Sequence, residues 1–378
     1  MQAIPERLDY DQKPFLVIWE ITQACDLACK HCRASAQPSS NPNELTTEEG
    51  KRLIDQIAEL DVPIFVMTGG DPIKRPDVFE LIRYATSRGV HAALTPSATP
   101  LLTRDVIFRL KEAGLARLAI SLDGATAEVH EAVRGVQGAY ARTLDAVRWA
   151  NEAGLPIQVH TTVSRHNASD LDSLAIMLQE MKIVMWSVFF LVPLGRGKNE
   201  DVLTGSEFEA VFAKLYELSK KVTFQVKTTE AMHYRRYLLQ QRAKDHAQHV
   251  AEHPGTAEAK AVGWATKRVN DGRGFVFVSH IGKVYPSGFL PLEGGDVRLQ
   301  PLGEIYRESP VFKQLRDLSQ LKGKCGACEF KEICGGSRAR AYAVSGDLLG
   351  EEPCCIYQPK NYHPAIQILK EHHQPAGV

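Results

Sequence analysis

Short apolar runs alternate with amphipathic stretches through residues 15–223 of the chain. Each apolar run has the length of a buried strand, whereas each amphipathic stretch repeats its apolar residues at the spacing of a helix. After Thr46, for example, Leu53, Ile54 and Ile57 fall on one face behind a threonine of the kind that caps helices. The predicted strands are 15–21, 63–68, 90–95, 116–122, 157–163 and 186–192, and further helices are predicted at 77–87, 103–113, 139–153, 169–181 and 204–219.

This alternation predicts the class of fold. Six βα units with buried strands indicate an α/β protein built on a parallel sheet. Doubly wound sheets and barrels share the pattern, so the pattern alone leaves both forms open. In either form, binding sites collect at the carboxyl ends of the strands.

The pattern changes after residue 223. Residues 224–271 are polar and helix-prone, and we interpret them as a helical linker or lid. From residue 272 the spacing shortens, because 274–279 and 283–285 predict a hairpin and 311–318 predicts a short helix. The expected organisation is an N-terminal extension (1–14), the α/β domain (15–223), the linker (224–271), a small cysteine-rich α+β domain (272–360) and a C-terminal tail (361–378).

The composition excludes several classes of partner. Lys and Arg together number 45, as do Asp and Glu, so the formal charge is zero and nothing favours nucleic acid. No apolar run approaches the ~18–20 residues of a membrane helix, and the N-terminus lacks the apolar core of a secretion signal. Clustered cysteines indicate metal binding in a reducing compartment rather than a disulfide framework. We therefore expect a cytoplasmic protein without a membrane span.

Three cysteines follow the first predicted strand directly. Cys25, Cys29 and Cys32 have the spacing C-x3-C-x2-C. Three thiolates at this spacing can hold three irons of a [4Fe–4S] cube and leave the fourth iron open. An open iron can bind a small chelating ligand, which a cluster held by four cysteines cannot do.

This triplet, together with Gly69-Gly70-Asp71-Pro72 after the second strand, resembles the signature of the radical SAM superfamily. The resemblance implies a partial (βα)6 barrel and a [4Fe–4S] cluster whose open iron binds S-adenosylmethionine. It also implies reductive cleavage of that cofactor to a 5′-deoxyadenosyl radical, which abstracts hydrogen from a substrate. An electron donor such as flavodoxin or ferredoxin is implied as a partner, and no catalytic side chain is assigned beyond the cluster and the cofactor.

The resemblance also implies contacts with S-adenosylmethionine. His31 would stack on the adenine. The methionine amino group would be received by Gly69, Gly70 and Asp71. The ribose and the carboxylate would be contacted by Ser97, Ser121 and Asp123, and Arg134 would pair with that carboxylate. Each position also has an ordinary interpretation. His31 would be a surface residue, Asp71 a helix cap, and the serines and Asp123 turn residues.

A second group of cysteines lies near the C-terminus: Cys325, Cys328, Cys334 and one of the pair Cys354 and Cys355. Four thiolates fit either zinc or an iron–sulfur cluster, and spacing alone does not separate the two. The stretch resembles the SPASM domain of radical SAM enzymes, which implies an auxiliary [4Fe–4S] cluster and favours Cys355 as the fourth ligand. Ser287 and Arg338 stand where that domain has ligands of a further cluster. We therefore expect one auxiliary cluster and two clusters in all.

Candidate substrate residues are Arg196, after the sixth strand, His233 and Arg235, early in the linker, and Arg338, beside the second cysteine group. Arginine forks favour carboxylates, although surface arginines often form only ion pairs. These stretches resemble the branch that tailors haem and haem d1 precursors, which implies a carboxylate-rich tetrapyrrole substrate.

Two other functions stay open at this stage. One is a radical SAM/SPASM maturase of a ribosomally synthesised peptide, which the short stretch before the first strand disfavours, because such enzymes commonly carry a peptide-binding module there. The other is a non-enzymatic zinc or iron–sulfur scaffold protein, with zinc in the second cysteine group.

Overall fold

The computed structural model describes residues 9–252, 269–360 and 362. Residues 1–8 of the N-terminal extension, part of the predicted linker and all of the predicted tail except residue 362 lie outside the described residues. Within the described part, no helix combines the length and the apolar character needed to cross a membrane.

Ten strands form one sheet in the described part of the chain. They are β1 Leu16–Thr22, β2 Ile64–Gly69, β3 Ala92–Leu94, β4 Arg117–Ser121, β5 Ile157–Val163, β6 Met185–Phe190, β7 Gln225–Thr229, β8 Phe275–Val278, β9 Lys283–Tyr285 and β10 Gly295–Asp296. Strands β1 to β7 stand side by side in chain order, all parallel. A doubly wound sheet reverses its order at a switch point, so this order is that of a barrel wound in one direction. The predicted α/β partial barrel is confirmed.

Helices pack on the outer face of this sheet and continue into the small domain. They are α1 Thr47–Glu59, α2 Val78–Ser87, α3 Arg104–Glu112, α4 Ala127–Arg134, α5 Ala139–Glu152, α6 Leu171–Glu180, α7 Gly205–Ser219, α8 Tyr234–Glu252, α9 Leu302–Glu308, α10 Pro310–Arg316, α11 Gly323–Ala327 and α12 Arg338–Ser345. α1 begins at a capping box between Thr46 and Glu49. Its predicted apolar residues Leu53, Ile54 and Ile57 are buried, which confirms that helix. The pattern did not reveal α4, α9, α11 or α12.

The two faces of the sheet differ in accessibility. In β2, Phe65 and Met67 are fully buried in the core that the strands share with the helices, whereas Thr68 is partly accessible. In β5, His160 and Thr162 are partly accessible in the same alternation. The accessible face is the interior of the barrel, so polar side chains on it can contact a ligand.

The strands depart from the expected organisation in two places. β7 lies inside the stretch 224–271, where the sequence indicated a linker. Its polar sequence does not predict a strand, because an edge strand that faces an open interior needs few apolar residues. The predicted hairpin is formed by β8 and β9, but β8 also pairs in parallel with β1. The sheet of the barrel therefore continues into the small domain.

Candidate active site

A cavity of about 210 Å3 lies inside the barrel, at the carboxyl ends of the parallel strands. Most of the residues predicted to bind the cluster or the cofactor line this one space. Its lining includes Cys25, Cys29, Cys32, His31, Gly69, Gly70, Ser97, Ser121, Arg134 and Arg196. Asp71 and Asp123, which were expected to contact the cofactor, are not part of the lining.

The three thiols of the triplet are free, and hydrogen-bond donors lie near the sulfur atoms of Cys25 and Cys29. Cys25 Sγ accepts the backbone N–H of Leu27 at 3.4 Å and lies 3.4 Å from Ser97 Oγ. Arg134 Nη1 lies 3.6 Å from Cys29 Sγ. Burial raises the pKa of Cys25, so a thiolate there needs a metal as well as these donors. The residues present fit a cluster held at this loop.

Gly69 and Gly70 hold the cysteine loop in place by close backbone contact. A Cβ atom at Gly70 would lie 2.4 Å from the carbonyl oxygen of Ala24, and one at Gly69 would lie 2.6 Å from that of Thr22. Gly70 N–H also donates to Thr22 O at 2.8 Å. The space that these glycines provide is therefore taken by the chain itself, just before Cys25.

We expect Gly70→Ala to displace the cysteine loop. The clash is with backbone atoms, which cannot rotate away, so the loop must shift. A misplacement of about 1 Å costs on the order of a hundredfold in rate. The measurement is 5′-deoxyadenosine formation per iron bound. Gly350→Ala is the control, because its nearest neighbour is 3.1 Å away and it lies outside the cavity; equal activity of the two variants would contradict the assignment.

Asp71 joins two strand-end loops rather than facing the cavity. Its carboxylate is fully buried and accepts the N–H groups of Ile73 at 3.2 Å and Ser97 at 3.3 Å, and the Thr99 hydroxyl at 2.9 Å. Burial raises the pKa of this carboxyl to about 6. These contacts match the ordinary interpretation of a cap. The expected contact with the methionine amino group is not open to this side chain, because all of its oxygens face the protein.

Asp123 orients Arg134 at the wall of the cavity. Their side chains form an ion pair of 2.6 Å, and Asp123 Oδ1 accepts the N–H of Thr162 at 2.8 Å. Burial opposes ionisation of Asp123, but the Arg134 charge and these contacts hold its pKa below the ordinary value. Arg134 lines the cavity and Asp123 does not, so a direct contact of Asp123 with the ribose is not supported.

Three histidines line the cavity, His31, His130 and His160, and burial lowers the pKa of each below its ordinary value. Burial lowers the pKa of His31 to about 4 and that of His160 to about 3. His160 was not predicted from the sequence. Its Nε2 lies 2.8 Å from Gln158 Nε2, and its ring centroid lies 5.0 Å from that of Phe189. The signal for it was the polar alternation of Gln158, His160 and Thr162 in an otherwise apolar strand, which marks a face turned to an open interior.

Arg196 is the predicted substrate residue that the structure places in the cavity. Its backbone N–H donates to Cys32 O at 3.0 Å, which ties it to the cysteine loop. Its Nε and Nη2 atoms are buried and have no hydrogen-bond partner among the described residues. Buried guanidinium donors without partners are suited to a carboxylate, which accepts two of them at once.

The other three predicted substrate residues lie elsewhere. His233 packs between the rings of Phe208 and Phe212, and Arg235 donates to the carbonyls of Ile333 and Val269. Arg338 donates to the Leu348 carbonyl and lies 3.6 Å from Cys325 Sγ. None of them lines the cavity. The positions of these three side chains do not support contact with a substrate in the cavity. The sequence places them next to a strand end or a cysteine, but it does not reveal the direction in which a side chain points.

The second cysteine group has its own set of sulfur contacts. Backbone N–H groups of Glu352, Phe330 and Gly336 point to the sulfurs of Cys325, Cys328 and Cys334 at 3.3 to 3.4 Å. Burial, together with nearby Cys325 and Cys355, raises the pKa of Cys334 to about 12. Cys354 instead directs its thiol to the Leu203 carbonyl. The arrangement favours Cys355 over Cys354 as a partner of the other three.

The donor set at the cavity is three free thiols, which suits the three protein-held irons of a [4Fe–4S] cube. Across residues 9–252, 269–360 and 362, no three Cys, His, Asp or Glu side chains are grouped to hold one metal ion. A [4Fe–4S] cube differs from such a site because each thiolate has its own iron. The barrel and its cavity thus define an α/β-barrel enzyme of the iron–sulfur class.

Comparison with known proteins identifies the family. Residues 19–178 match the model of the radical SAM superfamily. The chain is 43% identical over 346 residues to the AdoMet-dependent heme synthase of Methanosarcina barkeri (strain Fusaro / DSM 804), covering 92% of this chain and 97% of the relative. It is 30% identical to the PqqA peptide cyclase of Rhodopseudomonas palustris, covering 92% of this chain and 88% of the relative. The chain belongs to the radical SAM superfamily and its SPASM-type subgroup.

Solved structures agree on the fold. Streptococcus suis SuiB bound to S-adenosylmethionine superposes with a TM-score of 0.69 at 14% identity, covering 92% of this chain and 78% of SuiB. Family membership makes the protein a radical SAM enzyme, with a [4Fe–4S] cluster and S-adenosylmethionine as the cofactors of that family. The alternative of a non-enzymatic scaffold is therefore wrong.

Proposed function

We propose that this enzyme modifies the carboxylate side chains of an iron tetrapyrrole, and its similarity to proteins named AdoMet-dependent heme synthase supports a tetrapyrrole substrate. The observation that carries the proposal is Arg196, whose buried donors have no partner among the described residues and face the cavity of the cysteine triplet. The 43% identity to a heme synthase exceeds the 30% identity to a peptide cyclase, which favours a tetrapyrrole over a peptide.

Within this proposal, the residues of the cavity have different roles in binding the cluster, the cofactor and the substrate. Cys25, Cys29 and Cys32 would hold the [4Fe–4S] cluster. When bound, the cluster and S-adenosylmethionine supply the radical that removes hydrogen from the substrate. Arg134, which forms an ion pair with Asp123, would pair with the carboxylate of the cofactor. Arg196 binds a carboxylate arm of the substrate and orients the adjacent carbon.

The apolar part of the cavity excludes water. Leu27, Phe189, Leu191 and Phe289 line it together with the polar groups. Phe289 comes from the small domain, and its ring lies 6.5 Å from that of Phe189. The small domain thus helps to close the cavity over a flat, apolar macrocycle and shields a reactive intermediate from solvent.

Cys325, Cys328, Cys334 and Cys355 would hold the auxiliary [4Fe–4S] cluster. Four thiolates leave no iron open, which suits electron transfer or structure rather than substrate binding. An external one-electron donor, such as a flavodoxin or a ferredoxin, completes the requirements of the reaction.

The deciding experiment incubates the reconstituted enzyme anaerobically with iron-coproporphyrin III, S-adenosylmethionine and a reductant. We expect 5′-deoxyadenosine to form in proportion to a change in the mass and absorbance of the tetrapyrrole. Formation of 5′-deoxyadenosine while iron-coproporphyrin III and related tetrapyrroles stay unchanged, together with turnover of a precursor peptide, would overturn the proposal in favour of peptide maturation.

Replacing Arg196 with glutamine is expected to raise KM for iron-coproporphyrin III about 10- to 150-fold. A charged hydrogen-bonded contact is worth about 1.5–3 kcal/mol, which corresponds to that range. Lys198→Gln provides the matched control, since Lys198 is in the same loop, is largely exposed and, among the described residues, forms its ion pair with Glu200. A KM for Arg196→Gln equal to that of Lys198→Gln would refute the contact.

A further inference from the structure

Arg33 joins the cysteine loop to the small domain. It follows Cys32 directly, and its side chain lines the cavity. Its Nη1 donates to the carbonyl of Gly288 at 3.2 Å, and its guanidinium carbon lies 4.5 Å from the centre of the Phe277 ring. Both partners belong to the small domain, so this one side chain connects the triplet to the part of the cavity wall that the small domain supplies.

Glu20 holds the guanidinium of Arg33 in this place. Its Oε1 accepts Nη2 of Arg33 at 2.8 Å, and its Oε2 lies 2.9 Å from Nδ1 of His280, in the turn between β8 and β9. Burial opposes ionisation of the Glu20 carboxyl, but the Arg33 charge and the His280 contact hold its pKa below the ordinary value. A buried carboxylate with both oxygens in use fixes the direction of the arginine fork, which keeps Nη1 on Gly288.

The segment that Arg33 contacts is the one that carries Phe289. Phe289 follows Gly288 and lines the cavity, and its N–H donates to the Ser287 hydroxyl at 3.2 Å. Gly288 lies between two side chains, because a Cβ atom there would lie 3.0 Å from the Phe277 ring and 3.3 Å from Nε of Arg33. These groups are in close contact, so a shift of the guanidinium displaces the backbone next to Phe289.

We infer that Arg33 is a positioning residue that keeps Phe289 over the cavity. This inference rests on the proposed function, in which the small domain closes the cavity, but it holds for any substrate bound there. Because Arg33 also follows the third cysteine of the triplet, its contacts set the distance between the cysteine loop and the covering ring. Closure prevents side reactions, so Arg33 raises the share of cleaved S-adenosylmethionine that leads to modified substrate.

Amide hydrogen exchange of the reconstituted enzyme tests this position without any substrate. The reporters are the N–H groups of Phe289 and Leu290, which both donate to Ser287. In Arg33→Met we expect them to exchange about 10- to 150-fold faster, the effect of losing one hydrogen bond to a charged group. Arg33→Lys keeps the charge beside Glu20 but lacks the planar fork, so we expect wild-type iron content and exchange that is still faster than in the wild type.

Turnover provides a second measure. The amount of 5′-deoxyadenosine formed per iron-coproporphyrin III converted is expected to rise in Arg33→Met and in Phe289→Ala. It should rise no further when both changes are combined, because Arg33 acts through Phe289. Arg109→Met is the matched control for both measurements, since Arg109 lies 4.2 Å over the ring of Phe79 and pairs with Asp105 away from the cavity.

Exchange at the wild-type rate in both Arg33 variants would overturn the inference. So would effects of Arg33→Met and Phe289→Ala that multiply in the double variant, because the two residues would then act independently. If Arg33→Met loses iron, Arg33→Lys decides, since its charge still compensates Glu20. A wild-type enzyme that does not convert iron-coproporphyrin III contradicts the proposed function, whereas the exchange rates still show whether Arg33 holds Phe289 in place.

Discussion

Cys29→Ala is expected to abolish cleavage of S-adenosylmethionine and to remove about half of the iron from the reconstituted protein. The triplet supplies only three thiols at the cavity, so loss of one leaves too few ligands for a stable cube. The second cysteine group is built from separate elements with their own sulfur contacts. It should therefore keep its iron, out of about eight irons in two cubes. Iron, sulfide and 5′-deoxyadenosine are measured after anaerobic reconstitution.

Cys328→Ala is the matched variant in the other group. It should lose a similar amount of iron yet still bind S-adenosylmethionine, with substrate turnover impaired. Cys354→Ala completes the set, because its thiol is directed to Leu203 O and the variant should keep the iron of both groups. Cleavage at the wild-type rate by Cys29→Ala would refute the assignment of the triplet. Zinc without sulfide in the second group would refute the auxiliary cluster.

The sequence predicts the barrel well because its strands are buried on one face and repeat at regular intervals. The predicted strand 157–163 coincides with β5, and 15–21 differs from β1 by one residue at each end. Such strands must be apolar where helices cover them, and this requirement is visible in the sequence. The hydrophobic pattern did not predict β7, because this strand is at the edge of the barrel sheet and its exposed residues are polar.

The candidate site shows where the sequence stops being informative. Residue type and loop position identify the cysteines, the two glycines and Arg196, but they do not reveal whether a carboxylate faces a cavity or the protein. Asp71 and Asp123 both follow strand ends. The carboxylate of Asp71 accepts hydrogen bonds from neighbouring loops, and that of Asp123 forms an ion pair with Arg134. His160 lies within a strand, where its exposure to the cavity depends on the sheet register. Register is a tertiary property, which local pattern does not determine.

A buried ion pair connects the barrel to the second cysteine group. Arg340 Nη1 lies 3.1 Å from Glu352 Oε1, and both side chains are almost fully inaccessible. Arg340 also donates to the carbonyls of Phe190 and Glu230, at the ends of β6 and β7. Glu352 accepts the N–H of Ser337, and its own N–H points to Cys325 Sγ. One guanidinium therefore joins two barrel strands to the loop that carries the auxiliary-cluster cysteines.

Arg340→Met is expected to lower the free energy of unfolding by about 3–5 kcal/mol, because Glu352 would be left charged and unpaired in the interior. The two carbonyls of the barrel would also lose their donor. Anaerobic urea unfolding measures the change, and Lys322→Met is the control, since its pair with Asp347 is partly exposed and worth about 0–1 kcal/mol. Adding Glu352→Gln to Arg340→Met should recover part of the loss, because the pair is then removed together. An Arg340→Met protein as stable as the Lys322→Met control would show that this pair does not hold the two parts together.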